Sequence, residues 1–99
     1  MRGFVESRRR NWTFLRAAAN TVGAEYEAMS YEELQRPAEL LSTEREIEGI
    51  RVTFSTEAYN TKPNQDLCVS VDVWAALPTF LGVKPSYHFY KRPDGTVYY

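Results

Sequence analysis

Cysteine and histidine are almost missing from this chain of 99 residues, and each near-absence excludes a kind of site. Cys68 is the only cysteine, so no internal disulfide can form, and a structural zinc site built from thiolates is not expected. His88 is the only histidine, which excludes any site that needs two imidazoles. We therefore expect no metal site, and nothing in the sequence implies an oxidising compartment.

Glycine-rich loops and long apolar runs are missing as well. The glycines stand at positions 3, 23, 49, 82 and 95, too far apart for a phosphate-binding loop, so we expect no nucleotide cofactor. No stretch approaches the ~20 apolar residues of a membrane span, and residues 1–10 lack the apolar run that a signal peptide needs. We expect a cytoplasmic protein that does not enter a membrane.

The composition is that of a globular domain. Apolar residues make up 43% of the chain and charged residues 25%, which is far from the composition of disordered proteins. The length suits one hydrophobic core, so we expect a single domain over residues 1–99. The net charge of −1 is unevenly spread, because residues 1–22 are basic and residues 23–49 acidic. These two segments should attract each other if they pack as neighbours.

A helix is predicted near the start of the chain. Apolar side chains recur every three or four residues from about Val5 to Val22, which is typical of an amphipathic helix. We expect this helix to end at Gly23, because glycine tolerates the left-handed conformation common just past a helix. The apolar stripe consists of Trp12, Leu15, Ala19 and Val22.

A capping box predicts a second, short helix. Ser30 can accept a hydrogen bond from the amide of Glu33, and Glu33 can reach back to the amide of Ser30. Met29 and Leu34 occupy the two positions of a hydrophobic staple. Pro37 disfavours helical geometry at the residue before it, so this helix should end near residue 36.

The rest of the chain has the period of β-strands. Alternating runs cover residues 50–55, 67–74, 87–91 and 96–99, with turn-forming residues at 60–65 and 93–95. Residues 45–48 are either a short hairpin strand that turns at Glu48-Gly49 or part of a strand broken by a bulge. In the clearest run, Leu67, Val69, Val71 and Val73 point one way, and Cys68, Ser70, Asp72 and Trp74 the other.

These elements predict an α+β fold. An N-terminal amphipathic helix and a short second helix should pack on one face of a four- to five-stranded antiparallel meander sheet, since helices and strands are segregated along the chain. Such a sheet leaves its second face without a helix.

Most catalytic arrangements lack the residues that they need. Cys68 and His88 form the only conceivable thiol–imidazole pair, and no glycine-rich strand-to-helix turn supplies an oxyanion site, so we expect Cys68 to be buried and inert. The paired glutamates belong to a helix start and a polar connection, where solvated surface is their expected role. Asp72 is either exposed or the floor of a pocket. We expect no enzymatic activity.

A basic run near the N-terminus raises the possibility of nucleic-acid binding. Arg8, Arg9 and Arg10 precede Trp12, and cationic side chains beside an aromatic ring are typical of such contacts. Three consecutive helical residues fan over about 200°, however, so they cannot line one groove. The chain as a whole is slightly acidic, so we expect at most weak nucleic-acid binding.

Aromatic residues are the most informative feature of the second half of the chain, because the alternation places rings on both faces of the predicted sheet. Rings with a polar tip are enriched at protein interfaces. The leading hypothesis is a non-enzymatic module that binds another protein, or a second copy of itself, through the outer sheet face or an edge strand. The candidate contact residues are Asp72, Trp74, Tyr87, His88, Tyr90 and Tyr98.

Two alternatives remain open. Cross-strand aromatic pairs can simply stabilise an exposed sheet, by ~0.2–1 kcal/mol each. A small-ligand pocket or minor enzyme could instead lie between the helix and the sheet and use Asp72 and His88.

Overall fold

The computed structural model describes residues 2–35, 41–60, 65–79 and 82–99. Two helices precede five strands, and the strands form one antiparallel sheet in the order β1-β2-β3-β4-β5. The predicted α+β meander is confirmed. The elements are α1 (Arg2–Glu27), α2 (Tyr31–Gln35), β1 (Leu41–Ile47), β2 (Ile50–Asn60), β3 (Leu67–Trp74), β4 (Ser86–Lys91) and β5 (Val97–Tyr98).

Helix α1 is longer than predicted at both ends. It begins at Arg2 and ends at Glu27, so the expectation that Gly23 terminates it is wrong. Gly23 is buried inside the helix, and a Cβ added there would lie 2.2 Å from Cδ1 of Tyr87. The glycine is therefore required for the close approach of the helix to strand β4, and it does not serve as a cap.

The core lies between α1 and the sheet face that it covers. Leu15, Ala19 and Val22 of the predicted stripe are almost completely buried, whereas Trp12 is half-buried. Fully burying an aliphatic or aromatic side chain contributes ~1.5–3 kcal/mol, so this layer dominates the folding energy. The strand residues buried with the stripe are Val52, Phe54, Val71 and Val73, whereas Leu67, Val69 and Phe89 are buried in a second cluster with Tyr31 and Leu34 of α2.

The predicted capping box is present at α2. The amide of Glu33 donates to Oγ of Ser30 at 3.1 Å, and the amide of Ser30 donates to Oε1 of Glu33 at 3.1 Å. Leu34 is buried, and the half-buried Met29 packs against the same cluster, as a hydrophobic staple requires. Helix α2 is described as far as Gln35, so its predicted end near residue 36 lies outside the described residues.

The hairpin between β1 and β2 settles the alternative left open by the sequence. Ile47 pairs with Ile50, and both turn residues have positive φ, 51° at Glu48 and 79° at Gly49. This is the two-residue hairpin turn whose twist matches that of the flanking strands. Strand β1 is paired over its whole length, Leu41–Ile47, so it is longer than the expected strand at 45–48 and has no bulge.

The structure describes the predicted turn before β5 in full and the predicted β2–β3 connection only in part. Residues 61–64 of the β2–β3 connection lie outside the described residues, although the strands on either side pair antiparallel as expected. Before β5, the amide of Gly95 donates to the carbonyl of Arg92 at 2.9 Å, which closes the predicted tight turn. In the described ranges, no helix is both long enough and apolar enough to cross a membrane.

Replacement of Gly23 tests the close approach of α1 to β4. Because the new methyl group would collide with the Tyr87 ring, Gly23→Ala should lower the free energy of unfolding by ~1–3 kcal/mol despite the better helix propensity of alanine. Gly3→Ala is the matched control, since no atom lies within 4 Å of a Cβ added at Gly3. Denaturant unfolding measures the free energy of unfolding of the two variants. A Gly23→Ala protein as stable as the control would contradict the packing described here.

Candidate interaction surface on the outer sheet face

The sheet face turned away from α1, here called the outer face, collects side chains from all five strands. Alternation along each strand decides which residues point outward, and the antiparallel register arranges them in rows across the sheet. The outer face consists of Ser42, Glu44, Glu46, Arg51, Thr53, Ser55, Glu57, Tyr59, Cys68, Ser70, Asp72, Trp74, Ser86, His88, Tyr90 and Tyr98.

An aromatic row crosses one end of the outer face. Tyr59, Cys68, Tyr90 and Tyr98 lie opposite one another on β2, β3, β4 and β5. The rings of Tyr90 and Tyr98 stack with their centroids 5.1 Å apart and their planes 13° apart. Tyr59 is 48% exposed. The neighbouring Cys68 thiol, which is buried, is the main reason that the pKa of Tyr59 is raised.

Tyr98 is held from two sides. Its hydroxyl donates a hydrogen bond to the carboxylate of Asp66, which is the main reason that its pKa is raised. The guanidinium carbon of Arg92 lies 4.8 Å from the centroid of the Tyr98 ring, within the range of a cation–π contact. The β5 end of the aromatic row is therefore fixed by contacts within the chain.

His88 lies in the middle of the outer face between two serine hydroxyls. Oγ of Ser70 is 3.0 Å from its Nδ1, and Oγ of Ser86 is 2.9 Å from its Nε2. Both ring nitrogens thus have a hydroxyl partner, and neither contacts Cys68 or a carboxylate. The arrangement holds the ring on an exposed sheet, which is not the enclosed geometry of nucleophilic catalysis.

Asp72 and Trp74 occupy the far side of the outer face from the aromatic row. Asp72 is exposed and lies opposite Ser55 and Ser86, so it is not the floor of a pocket. Trp74 is 58% exposed, an unusual value for a large ring on a central strand. The outer face therefore carries exposed rings at both ends, with polar groups between them.

Tyr87 is the one candidate contact residue that lies elsewhere. It points toward α1, against Gly23, and its hydroxyl donates to the carboxylate of Glu27. Burial is the main cause that raises the pKa of Tyr87, and the hydrogen bond to Glu27 acts in the same direction. Tyr99 also donates to Glu27, at 2.6 Å. Of the six residues predicted to make contacts, five share the outer face, and Tyr87 instead joins the helix to the sheet.

The N-terminal arginines do not form one basic surface. Nη1 of Arg8 donates to the carbonyl of Thr79 at 2.6 Å and so ties α1 to the β3–β4 connection. Arg9 and Arg10 are exposed and lie in a shallow depression that Glu6 and Glu48 also line. This mixture of charges does not favour a phosphate backbone.

A groove of about 350 Å³ runs between α1 and β1. Its walls are mainly apolar, and Arg45 on β1 crosses to α1 and pairs with Glu25 at 2.6 Å. Hydrogen bonding to Arg45 lowers the pKa of Glu25. Neither Asp72 nor His88 can line a pocket between helix and sheet, because both lie on the opposite sheet face. The groove residues are Phe14, Ala17, Ala18, Thr21, Val22, Arg45, Glu46, Ile47 and Glu48.

Neither a metal cluster nor a known relative defines the site. Within residues 2–35, 41–60, 65–79 and 82–99, no three histidine, cysteine or acidic side chains are grouped so that they could hold a metal ion. Comparison with known proteins gives no match: no family model fits the chain, and no curated protein or solved structure is significantly similar to it.

Tyr59 and the two serines beside His88 were not among the predicted contact residues. The signal for Tyr59 was present, because the alternation that buries Val52 and Phe54 continues through Ala58 and turns Tyr59 outward. The serines could not be placed without the register that sets Ser70 opposite His88.

Substitutions on the two sheet faces should have very different effects on stability. Trp74→Ser and Tyr59→Ser remove exposed rings and should each lower the free energy of unfolding by less than about 1 kcal/mol. Phe89→Ala removes a fully buried ring and should cost ~3–5 kcal/mol. Chemical denaturation measures all three. A loss of more than about 2 kcal/mol for Trp74→Ser would show that the outer face is part of a core.

Proposed function

We propose that this chain is a non-enzymatic binding module that recognises another protein through its outer sheet face. The observation that carries the proposal is the exposure of Trp74 and Tyr59, 58% and 48%, on a sheet whose other face already contains the core. In the described part of the chain, no helix packs on the outer face. Exposed rings of this kind are enriched at interfaces, where they contribute most of the binding energy.

The dimensions of the outer face suit a protein segment better than a small molecule. The five strands contain 34 residues, and at ~3.3 Å per residue and ~4.8 Å between strands they give a surface of roughly 540 Å². This is somewhat less than the ~800 Å² that each partner contributes to a standard interface. Small-molecule sites are concave and enclose their ligand, whereas this surface is a sheet with side chains pointing into solvent.

The absence of enzymatic activity is part of the proposal. His88 is bound by two serine hydroxyls on an exposed face, and no cleft excludes water around it. A cytoplasmic location is also proposed, and it fits a chain whose single cysteine can form no internal disulfide.

Site-specific photocrosslinking in the native cell tests the binding face. A benzoylphenylalanine at position 74 or 59 should form an adduct with the partner, while the same group at the exposed Glu32 on α2 should not. The mass of the adduct separates a foreign partner from a second copy of this chain. The proposal fails if positions 74 and 59 give no adduct, or if position 32 gives as much.

A further inference from the structure

We infer that the partner presents a cationic segment with arginine or lysine side chains to the outer face. This inference rests on the proposed function and adds the chemistry of the partner. The charges of the outer face, and their positions relative to the exposed rings, support a cationic partner.

The outer face is acidic although the chain is nearly neutral. Its strands carry Glu44, Glu46, Glu57 and Asp72. The described cations on this side are Arg51, which lies opposite Glu46, and Arg92, which lies over the Tyr98 ring. Glu44, Glu57 and Asp72 form no salt bridge with any described residue. Three carboxylates on three neighbouring strands are therefore available to a partner.

Each strongly exposed ring has one of these carboxylates beside it. Glu57 stands two residues before Tyr59 on β2, and Asp72 stands two residues before Trp74 on β3. Residues two apart on a strand point to the same face about 7 Å from each other. One guanidinium can therefore stack on the ring and pair with the adjacent carboxylate, which combines a cation–π contact with a charge-assisted hydrogen bond.

The same surface already contains a related contact, since Arg92 lies over the Tyr98 ring at 4.8 Å. No cation of the described residues lies over the Tyr59 or Trp74 ring. The ring–carboxylate pairs of Tyr59 with Glu57 and Trp74 with Asp72 can therefore accept a cation from another molecule. A neutral or acidic partner would bury these carboxylates without a counter-charge, which is costly.

The charge also argues against two other occupants. A second copy docked face to face would place one acidic outer face against another, because a two-fold interface uses the same surface on both copies. A nucleic acid would bring phosphates to a face with excess negative charge. The cationic protein segment is the occupant that the charges favour.

Titration of the purified protein with three synthetic eight-residue peptides, followed by amide and indole NMR shifts, tests the inference. The peptides alternate threonine with arginine, glutamine or glutamate. The arginine peptide should shift the amides of β2 and β3 and the Trp74 indole, and bind at least tenfold more tightly than the glutamine peptide. Binding should weaken as salt is raised, because the carboxylates are exposed.

Paired variants locate the charges that matter. Glu57→Gln with Asp72→Asn should reduce affinity for the arginine peptide by about tenfold, the order expected for two exposed charge contacts. Glu6→Gln with Glu32→Gln removes the same number of charges away from the outer face and should change affinity less than twofold. Both pairs lie at exposed positions, so folding should be unaffected.

Three outcomes would overturn the cationic partner: an arginine peptide that binds no better than the glutamine peptide, shifts confined to other surfaces, or equal losses in the two paired variants. If photocrosslinks still form at positions 74 and 59, the binding face stands and only the partner's charge is wrong. If those crosslinks are also absent, the proposed function fails with the inference.

Discussion

The contact between the Tyr87 ring and the backbone of Gly23 determines how the rest of the molecule is arranged. At this point α1 approaches β4 more closely than any side chain larger than hydrogen would permit. Neighbouring bonds reinforce the contact: Nζ of Lys91 donates to the carbonyl of Glu27 at 2.8 Å, near the negative end of the helix dipole. The helix is thereby fixed over β3 and β4, and β1 is left with a groove beside it.

The position of the helix has a consequence on the other side of the sheet. One helix layer can bury one face of a single sheet, so the residues of the second face must be soluble by themselves or be covered by something else. Most outer-face residues are polar, as expected for solvent. Among its aromatic residues, Trp74 and Tyr59 are the most exposed. A contribution of ~0.2–1 kcal/mol from a cross-strand pair does not explain two rings that remain about half exposed.

Local patterns in the sequence were sufficient for much of the fold. The capping box at Ser30 and Glu33 and the alternation along β3 depend on neighbouring residues only, and both were predicted correctly. Gly23 was misinterpreted because glycine serves two purposes, the end of a helix and close packing, and only the position of Tyr87 decides between them. Arg8 was likewise predicted as a basic surface residue, while its bond to Thr79 depends on a contact distant in sequence.

The sequence predicts which sheet face a candidate residue lies on, because side chains alternate between the two faces along a strand. Five of the predicted contact residues share the outer face: Asp72, Trp74, His88, Tyr90 and Tyr98. Tyr87 was a wrong choice that the sequence could have prevented, because it lies two residues from Phe89 and therefore points to the same, helix-covered face. Which residues lie opposite one another required the strand register. The rows that join Tyr59 to Tyr90 and Ser70 to His88 could not be obtained from the sequence.

Hydroxyl-radical footprinting of the protein in native cell extract, compared with the purified chain, measures whether the outer face is covered in the cell. Tyr99 is an internal control, because it is 75% exposed and lies on the side of the sheet that α1 covers. If a partner covers the outer face, Trp74 and Tyr59 should be protected from oxidation in the extract, while Tyr99 should react as it does in the purified protein. Equal oxidation of Trp74 and Tyr59 in both samples, or protection of Tyr99 alone, would contradict it.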